Sequence, residues 1–293
     1  MRLTLGQLAP SPADPERNLE RLAAAVRAAP ADLAVFPELF LSGYRVGDRV
    51  HTLALDPGGR DAATATLRRV ARESGTAIVV GAPVGSEERK GELRNAALLV
   101  LPTGDRGLQV KRYLPNFGPF EEGIAFSPTD ASRPLEVAGH RIGFEICYDV
   151  FFPEVARDLA LAGSELLVNI SASPVTSGRL FERLLPARAV ENGMPVVYVN
   201  RVGVEDGIVF GGGSGAWDHR GEPLPLEPVE LVGLAPEERL FRVEVDLGAG
   251  GRWRPFRPVL RDISSRPGMS REPPAAPGSG DRSPSAATRP PPL

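Results

Sequence analysis

An α/β fold is predicted for this 293-residue chain by three features of its sequence. Short apolar runs alternate with segments whose apolar residues recur at helical spacing. Proline and glycine mark several of the boundaries between them. The composition, 42% hydrophobic, 24% charged and 6% aromatic, is that of a globular protein long enough for one large or two small domains.

The elements follow in chain order. RLTLGQL at 2–8 alternates like a half-buried strand, and Pro15 opens a helix carrying Leu19, Leu22, Ala23 and Val26 at helical spacing. LAVF at 33–36 is a short apolar strand ended by Pro37, and 61–74 reads as a helix that Gly75 stops. AIVVG at 77–81 is the next strand, and NAALLVL, the turn PTGD and LQVKRYL form a hairpin. HRIGFEIC at 140–147 is a further strand, followed by a helix near 153–162, the strand ELLVNI, a helix near 178–192 and the strand PVVYVN. FRVEVD at 241–246 supplies the last alternating strand. GGG at 211–213 lacks both the P-loop and the dinucleotide-binding patterns, so close backbone packing is expected there. From about Arg266 the chain is rich in Pro, Ser, Ala and Gly with little apolar to bury. The expected organisation is one domain over 1–262 and a Pro-rich disordered tail over 263–293.

Charge and cysteine content narrow the function classes. Thirty-four Lys plus Arg against 37 Asp plus Glu give a formal charge of -3, which argues against nucleic acid or an anionic membrane as partner. No run approaches the ~18 apolar residues of a membrane span, and MRLTLGQLAP lacks the apolar stretch of a signal peptide, so a cytoplasmic protein is expected. The single cysteine, Cys147, cannot form an internal disulfide. His51, His140 and His219 are scattered, and no metal-ligating motif occurs, so no metal or other cofactor is expected.

Only Lys90 and Lys111 are lysines among the basic residues; all the others are arginine. In such a fabric a retained lysine points to a need for a compact ammonium rather than a planar guanidinium. Lys90 lies in the polar turn SEERKGE, which needs no further reason, but Lys111 lies within the apolar hairpin strand. Glu38 directly follows LAVF, and Cys147 closes HRIGFEIC. Strand ends are where side chains distant in sequence converge on one crevice of an α/β sheet. Singly, each has a structural explanation: a buried thiol, a capping or paired glutamate, a solvated edge lysine. Together they offer a carboxylate, an ammonium and a thiol. A Cys–His pair is the competitor, but His140 lies seven positions before Cys147 on one extended strand rising ~3.3 Å per residue, and His51 and His219 sit in polar loops. Glu145 shares the strand face of Cys147 and reads as a packing-face salt-bridge residue.

Three segments, VFPELFLSGY at 35–44, VKRYLPNFGPFEEGIAF at 110–126 and GFEICYDVFFPEVAR at 143–157, resemble in order and spacing the signatures of the nitrilase, or carbon-nitrogen hydrolase, superfamily. ELLVNISASPVTSGR and RAVENGMPVVYVNRVG resemble in particular the glutaminase domain of glutamine-dependent NAD synthetase, and the resemblance runs from about residue 2 to 247. It implies a four-layer α-β-β-α sandwich, the carbon-nitrogen hydrolase fold. It also implies a Glu38–Lys111–Cys147 triad, a second glutamate at Glu122 with Glu121 as the alternative, and a homodimer or larger homo-oligomer. An oxyanion contact from the backbone N–H of Tyr148 completes the site, with Phe117, Ser173 and Arg179 at substrate-binding positions.

Tyr148-Asp149 stands where nitrile-cleaving members carry Trp-Glu and NAD synthetase glutaminases Glu-Asp. This places amide hydrolysis ahead of nitrile hydrolysis. Phe117 replaces the usual tyrosine and Tyr113 a family histidine. No synthetase-like segment follows residue 247, so this chain alone is not expected to make NAD. The expected reaction is hydrolysis of a small linear amide, glutamine-like or a carbamoyl amine, through a Cys147 thioester. Ammonia supply within a complex and acyl transfer to an amine are the alternatives.

Overall fold

The computed structural model describes residues 1–265. β1 (Arg2–Gln7) leads to α1 (Pro15–Ala28), whose start is fixed by Pro15 and by the Asp14 carboxylate accepting the Arg17 N–H. β2 (Leu33–Val35), a 3-10 turn (Gly47–Arg49) and α2 (Val50–Leu53) follow. α3 (Ala62–Ser74) is capped by Asp61, which accepts the Thr64 N–H at 2.7 Å, and ends on Gly75 at φ 66°. β3 (Ala77–Gly85), β4 (Leu93–Val100) and β5 (Arg106–Val110) form an antiparallel meander, and α4 (Glu122–Ala125) lies in the loop beyond it.

β6 (Leu135–Val137) and β7 (His140–Ile146) precede a 3-10 helix (Cys147–Phe151) and α5 (Pro153–Leu161). β8 (Leu166–Ser171), a 3-10 turn (Val175–Ser177), α6 (Gly178–Asn192) and β9 (Val196–Asn200) come next. β10 (Val202–Glu205) and β11 (Ile208–Gly211) form a hairpin. β12 (Gly215–Trp217), β13 (Glu227–Val229), β14 (Arg239–Glu244), α7 (Leu247–Trp253) and α8 (Val259–Ser264) complete the described chain.

The strands assemble into a seven-stranded sheet in the order β13-β14-β1-β2-β3-β4-β5 and a five-stranded sheet in the order β12-β9-β8-β7-β6. Both are mixed: β1, β2 and β3 run parallel, as do β7, β8 and β9, with antiparallel strands at the edges. Alternation decides the layering. One face of the larger sheet, with Phe36, Ile78, Val80, Leu98 and Val100, packs against α1 and α3 through Leu22, Val26, Leu67 and Val70. Its other face, with Leu3, Leu5, Val35 and Val79, meets Phe144, Ile146, Val168 and Val199 of the smaller sheet. The outer face of that sheet is covered by α5 and α6 through Val155, Leu159, Phe181 and Leu185. These are the four layers, helix on sheet on sheet on helix. Each buried Val, Leu, Ile or Phe contributes ~1.5–3 kcal/mol, so the continuous inter-sheet core is the main force docking the two halves.

Two sequence expectations shift here. Lys111 lies one residue past the end of β5, although its N–H still donates to Asn95 O at 2.9 Å, so ladder geometry continues through it. Ile263 and Ser264, expected in the tail, belong to α8, where the Ser264 hydroxyl donates to Leu260 O at 2.9 Å. Residues 266–293 of the expected tail lie outside the described residues. Two glycines of the run pack closely as expected, a Cβ on Gly211 lying 2.7 Å from Val175 Cγ1 and one on Gly212 2.5 Å from Gln7 Cδ, whereas Gly213 faces open space at φ 76°. No helix among the described residues is long and apolar enough to cross a membrane.

Candidate active site

Glu38 enters from the C-terminal end of β2. The chain turns there through Pro37, and Leu39 takes the left-handed region at φ 48°. β3 admits this turn only because residue 81 is glycine, since a Cβ would lie 2.3 Å from Leu39 N and 2.5 Å from Glu38 Cα. Gly81 instead donates to Pro37 O at 3.0 Å and accepts from Leu41 N at 3.2 Å. Glu38 is thereby locked to the neighbouring strand before its side chain makes any contact.

Lys111 Nζ, 0% exposed, donates to Glu38 Oε1 at 2.6 Å and to Glu122 Oε1 at 2.7 Å. Asn95, on β4, donates through Nδ2 to Glu38 Oε1 at 2.8 Å and to Glu122 Oε2 at 3.2 Å. The Tyr44 hydroxyl donates to Glu122 Oε1 at 2.6 Å. The second oxygen of Glu38 accepts the Ala172 N–H, just past β8, at 2.8 Å. Thus one carboxylate of the larger sheet is held by backbone of the smaller one. Glu121, the alternative to Glu122, points outward with a 65% exposed side chain near Arg45.

Cys147 stands where β7 gives way to the 3-10 helix, half-buried, at φ 48°. The left-handed region costs a residue with a Cβ ~1–2 kcal/mol. Asp149 offsets that strain. Its Oδ2 accepts the Ile146 N–H at 3.0 Å, while Oδ1 accepts the N–H groups of Arg112 at 3.2 Å and Tyr113 at 2.9 Å. One buried carboxylate therefore ties the cysteine turn to the residues that follow Lys111. Burial pushes Asp149 up to about 7, against the pull of Lys111 and these backbone N–H groups.

Burial also pushes the Cys147 thiol well up. Glu38 and Glu122 add to the rise, whereas Lys111 and the Ser171 hydroxyl oppose it. Burial works against the charge on Lys111, yet Glu122 and Glu38 hold the ammonium well above the ordinary lysine range. Glu122 is raised by burial and by Glu38, with Lys111 and Tyr44 restraining it. At neutral pH the centre therefore holds a protonated thiol beside a permanent cation clasped by two carboxyl groups.

The remaining sequence candidates fall in two groups. Tyr148 follows the cysteine in the first turn of the 3-10 helix, whose leading N–H groups have no acceptor within the helix. Its ring lies 5.2 Å from that of Phe117, which is 53% exposed. Ser173 is buried, with its backbone bracketed by Asn200 at 2.8 and 3.0 Å and its hydroxyl beside that of Tyr198. Arg179 is exposed in the first turn of α6 and takes no part in the network around Lys111. His140 pairs with Glu165 at 2.6 Å at the far end of β7, and His219 lies against the Trp253 ring.

Glu145 corrects an expectation. It is 0% exposed and forms no salt bridge among the described residues; its Oε1 accepts from Asn169 Nδ2 at 3.0 Å. The arginine that acts on it, the buried Arg188 of α6, donates instead to Val150 O and Glu191. Tyr44, Asn95 and the Ala172 N–H were not singled out from sequence. The available signal was Asn95, a polar residue within the apolar run NAALLVL. Among the described residues no group of three or more His, Cys, Asp or Glu is placed to hold a metal ion.

The carbon-nitrogen hydrolase family model matches residues 2–255. An (R)-stereoselective amidase from Pseudomonas sp is 36% identical over 76% of this chain and 80% of that relative. The glutamine-dependent NAD(+) synthetase of Rhodobacter capsulatus is 33% identical over 91% of this chain, and the chain spans about half, 47%, of that relative's length. Among solved structures, a mutant amidase from Nesterenkonia sp. AN1, showing Michael addition of acrylamide at its active-site cysteine, aligns with TM-score 0.71 and 32% identity over 88% of this chain and 98% of its own. The chain belongs to the carbon-nitrogen hydrolase family of the nitrilase superfamily and is an amidase-type hydrolase whose active-site cysteine is Cys147.

Proposed function

We propose that the protein hydrolyses a small linear amide, glutamine-like or a carbamoyl amine, to an acid and ammonia through a Cys147 thioester. The observation that carries this reading is the fully buried Lys111 ammonium, 2.6 Å from Glu38 and 2.7 Å from Glu122, beside the chain's sole cysteine in a left-handed turn.

An amide carbonyl is a weak electrophile, so its cleavage needs a nucleophile, oxyanion stabilisation and a proton for the leaving nitrogen. Because the thiol is protonated at rest, deprotonation accompanies attack: Glu38 takes the Sγ proton as Sγ bonds to the carbonyl carbon. The oxyanion is stabilised by the Lys111 ammonium and the Tyr148 N–H. Glu38 returns its proton to nitrogen, the C–N bond breaks and ammonia leaves. Water, deprotonated by Glu38, then attacks the thioester carbon, Cys147 recovers a proton and the acid departs. Glu122, anchored by Tyr44 and Asn95, keeps Lys111 aimed and screens its charge. The buried Ser173 and Tyr198 hydroxyls support a polar substrate group on that side, and Phe117 with Tyr148 supports an apolar stem.

Ammonia release from primary amides, carbamoyl amines and nitriles, with intact-mass detection of the acyl-enzyme, tests the proposal. Turnover on an amide and an adduct lost in Cys147→Ala are expected. No release and no adduct across the panel would overturn it. The likeness to NAD synthetases over 91% of this chain favours a second reading, an ammonia-supplying subunit, for which turnover would rise sharply on adding a partner synthetase. Leu161, Leu180 and Val190, exposed on α5 and α6, support homo-oligomerisation through that helical layer, which light scattering would read as a mass above one chain.

A further inference from the structure

The mechanism above leaves a buried polar chain unused on the helix-facing side of β7 and β8. Register places Glu145 opposite Asn169 and Ile146 opposite Ile170, where the pairing ends, and just beyond it the Ser171 hydroxyl lies against the Cys147 thiol and favours its charged form. Glu145, Asn169 and Ser171 are each 0% exposed and lie in the layer that Leu167, Phe181 and Leu185 otherwise fill. Unsatisfied polar groups are costly in such a layer. Here Asn169 is a hub. Its amide donates to Glu145 Oε1 at 3.0 Å and to the Cys147 carbonyl at 3.5 Å, and its Oδ1 accepts the Ser171 hydroxyl at 2.7 Å. Burial pushes Glu145 up to about 8, so at neutral pH it accepts the Asn169 hydrogen as an uncharged acid and adds no negative charge near the thiol.

We propose that Ser171 donates its hydroxyl hydrogen to the Cys147 thiolate as it forms, and that Asn169, fixed by Glu145, positions both that hydroxyl and the strained cysteine turn. In the resting thiol the hydroxyl hydrogen is on Asn169 Oδ1. When the Sγ proton passes to Glu38, the hydroxyl rotates about its Cβ–Oγ bond toward Sγ, and no covalent bond to Ser171 changes. Once Sγ has bonded to the substrate carbon and lost its charge, the hydroxyl swings back. The Asn169 amide hydrogens stay on Glu145 and the Cys147 carbonyl throughout. Ser171 is thus a catalytic residue, whereas Asn169 and Glu145 are positioning residues.

This inference rests on Cys147 being the nucleophile, and its test reads the thiol without any amide substrate. Cys147 is the chain's sole cysteine, so iodoacetamide gives a single adduct that intact mass follows as a function of pH. Glu38, Lys111, Glu122, Tyr44, Tyr198 and, in its own turn, Asp149 are the titratable groups around it, and all are retained in the variants. Ser171→Ala is expected to raise the alkylation midpoint by about one unit and slow alkylation at neutral pH about tenfold. Ser171→Thr, which keeps the hydroxyl, is expected to restore both, and Glu145→Gln, which keeps the acceptor oxygen, to leave the neutral-pH rate as in the wild type, because Glu145 is uncharged there. An unchanged midpoint in Ser171→Ala, or no rescue by threonine, would overturn the inference. A wild-type thiol inert across the whole pH range would instead overturn the nucleophile itself, and needs no variant to be seen.

Discussion

Replacing Lys111 by methionine should make the protein's stability strongly pH-dependent. The ammonium is 0% exposed and lies 2.6 Å from Glu38 and 2.7 Å from Glu122, whose carboxyl groups also share the Asn95 amide. A pair of unit charges at ~4 Å is worth ~4 kcal/mol at an effective dielectric of ~20, and removing one partner of a buried pair costs ~3–5 kcal/mol. Without the cation, two carboxyl groups face each other in a dry site and one must hold a proton. Glu122, already raised above its ordinary value of 4.5 by burial and by Glu38, then rises further without the opposing pull of Lys111. The folded variant binds more protons than the unfolded chain, so its stability falls as pH rises from that value, by up to ~1.4 kcal/mol per pH unit for each proton retained. Urea unfolding at pH 5 and pH 8 measures this. The expected penalty relative to wild type is ~3–5 kcal/mol at pH 8 and markedly smaller at pH 5. An equal penalty at both pH values, or none, would refute the picture of a cation neutralising two buried acids.

Gly81→Ala should cost ~3 kcal/mol or more in denaturant unfolding and lower kcat, because the new Cβ would lie 2.3 Å from Leu39 N and must push the Glu38 turn aside. Tyr44→Phe removes the 2.6 Å donor to Glu122 and is expected to lower kcat/KM about tenfold with little change in unfolding midpoint, as read by steady-state ammonia release. Glu145→Gln replaces a buried acid raised from 4.5 to about 8 with a group that does not titrate. The folded wild type binds the extra proton between those values and its stability declines as pH rises through them. The wild-type-minus-variant difference should therefore fall across that interval by up to ~1.4 kcal/mol per unit and level off above it, and a flat difference would contradict a buried acid there.

The central elements and the main side chains of the candidate site were legible in the sequence for identifiable reasons. β1, β2, β3, β7, β8 and β9 are apolar runs whose alternation or length excludes a helix, and α1 and α3 carry both spacing and boundary signals. Glu38 and Cys147 stood out as polar groups at the ends of two of those runs, and Lys111 as a retained lysine in the hairpin strand. The hairpin of β10 and β11 and the short β12 and β13 were not legible, because three- and four-residue strands set by tertiary pairing leave no period to read. The side chains that align the site were hidden for a related reason. Asn95 lies on β4, Tyr44 in a loop and Asn169 on β8, and nothing local to any of them says that a carboxylate or a backbone carbonyl will stand opposite. Glu145 was misread because its neighbours in sequence do not reveal that α5 and α6 cover it.

The 2.8 Å bond from the Ala172 N–H to Glu38 spans the seam between the two sheets. Neither half of the chain can assemble the reactive centre alone: one half brings the carboxylates and the ammonium, the other the sulfur and the amide that steadies Glu38. Turnover is therefore a sensor of how well the halves are seated. Under mild denaturant, loosening of that seam should silence the enzyme while circular dichroism still reports intact strands and helices.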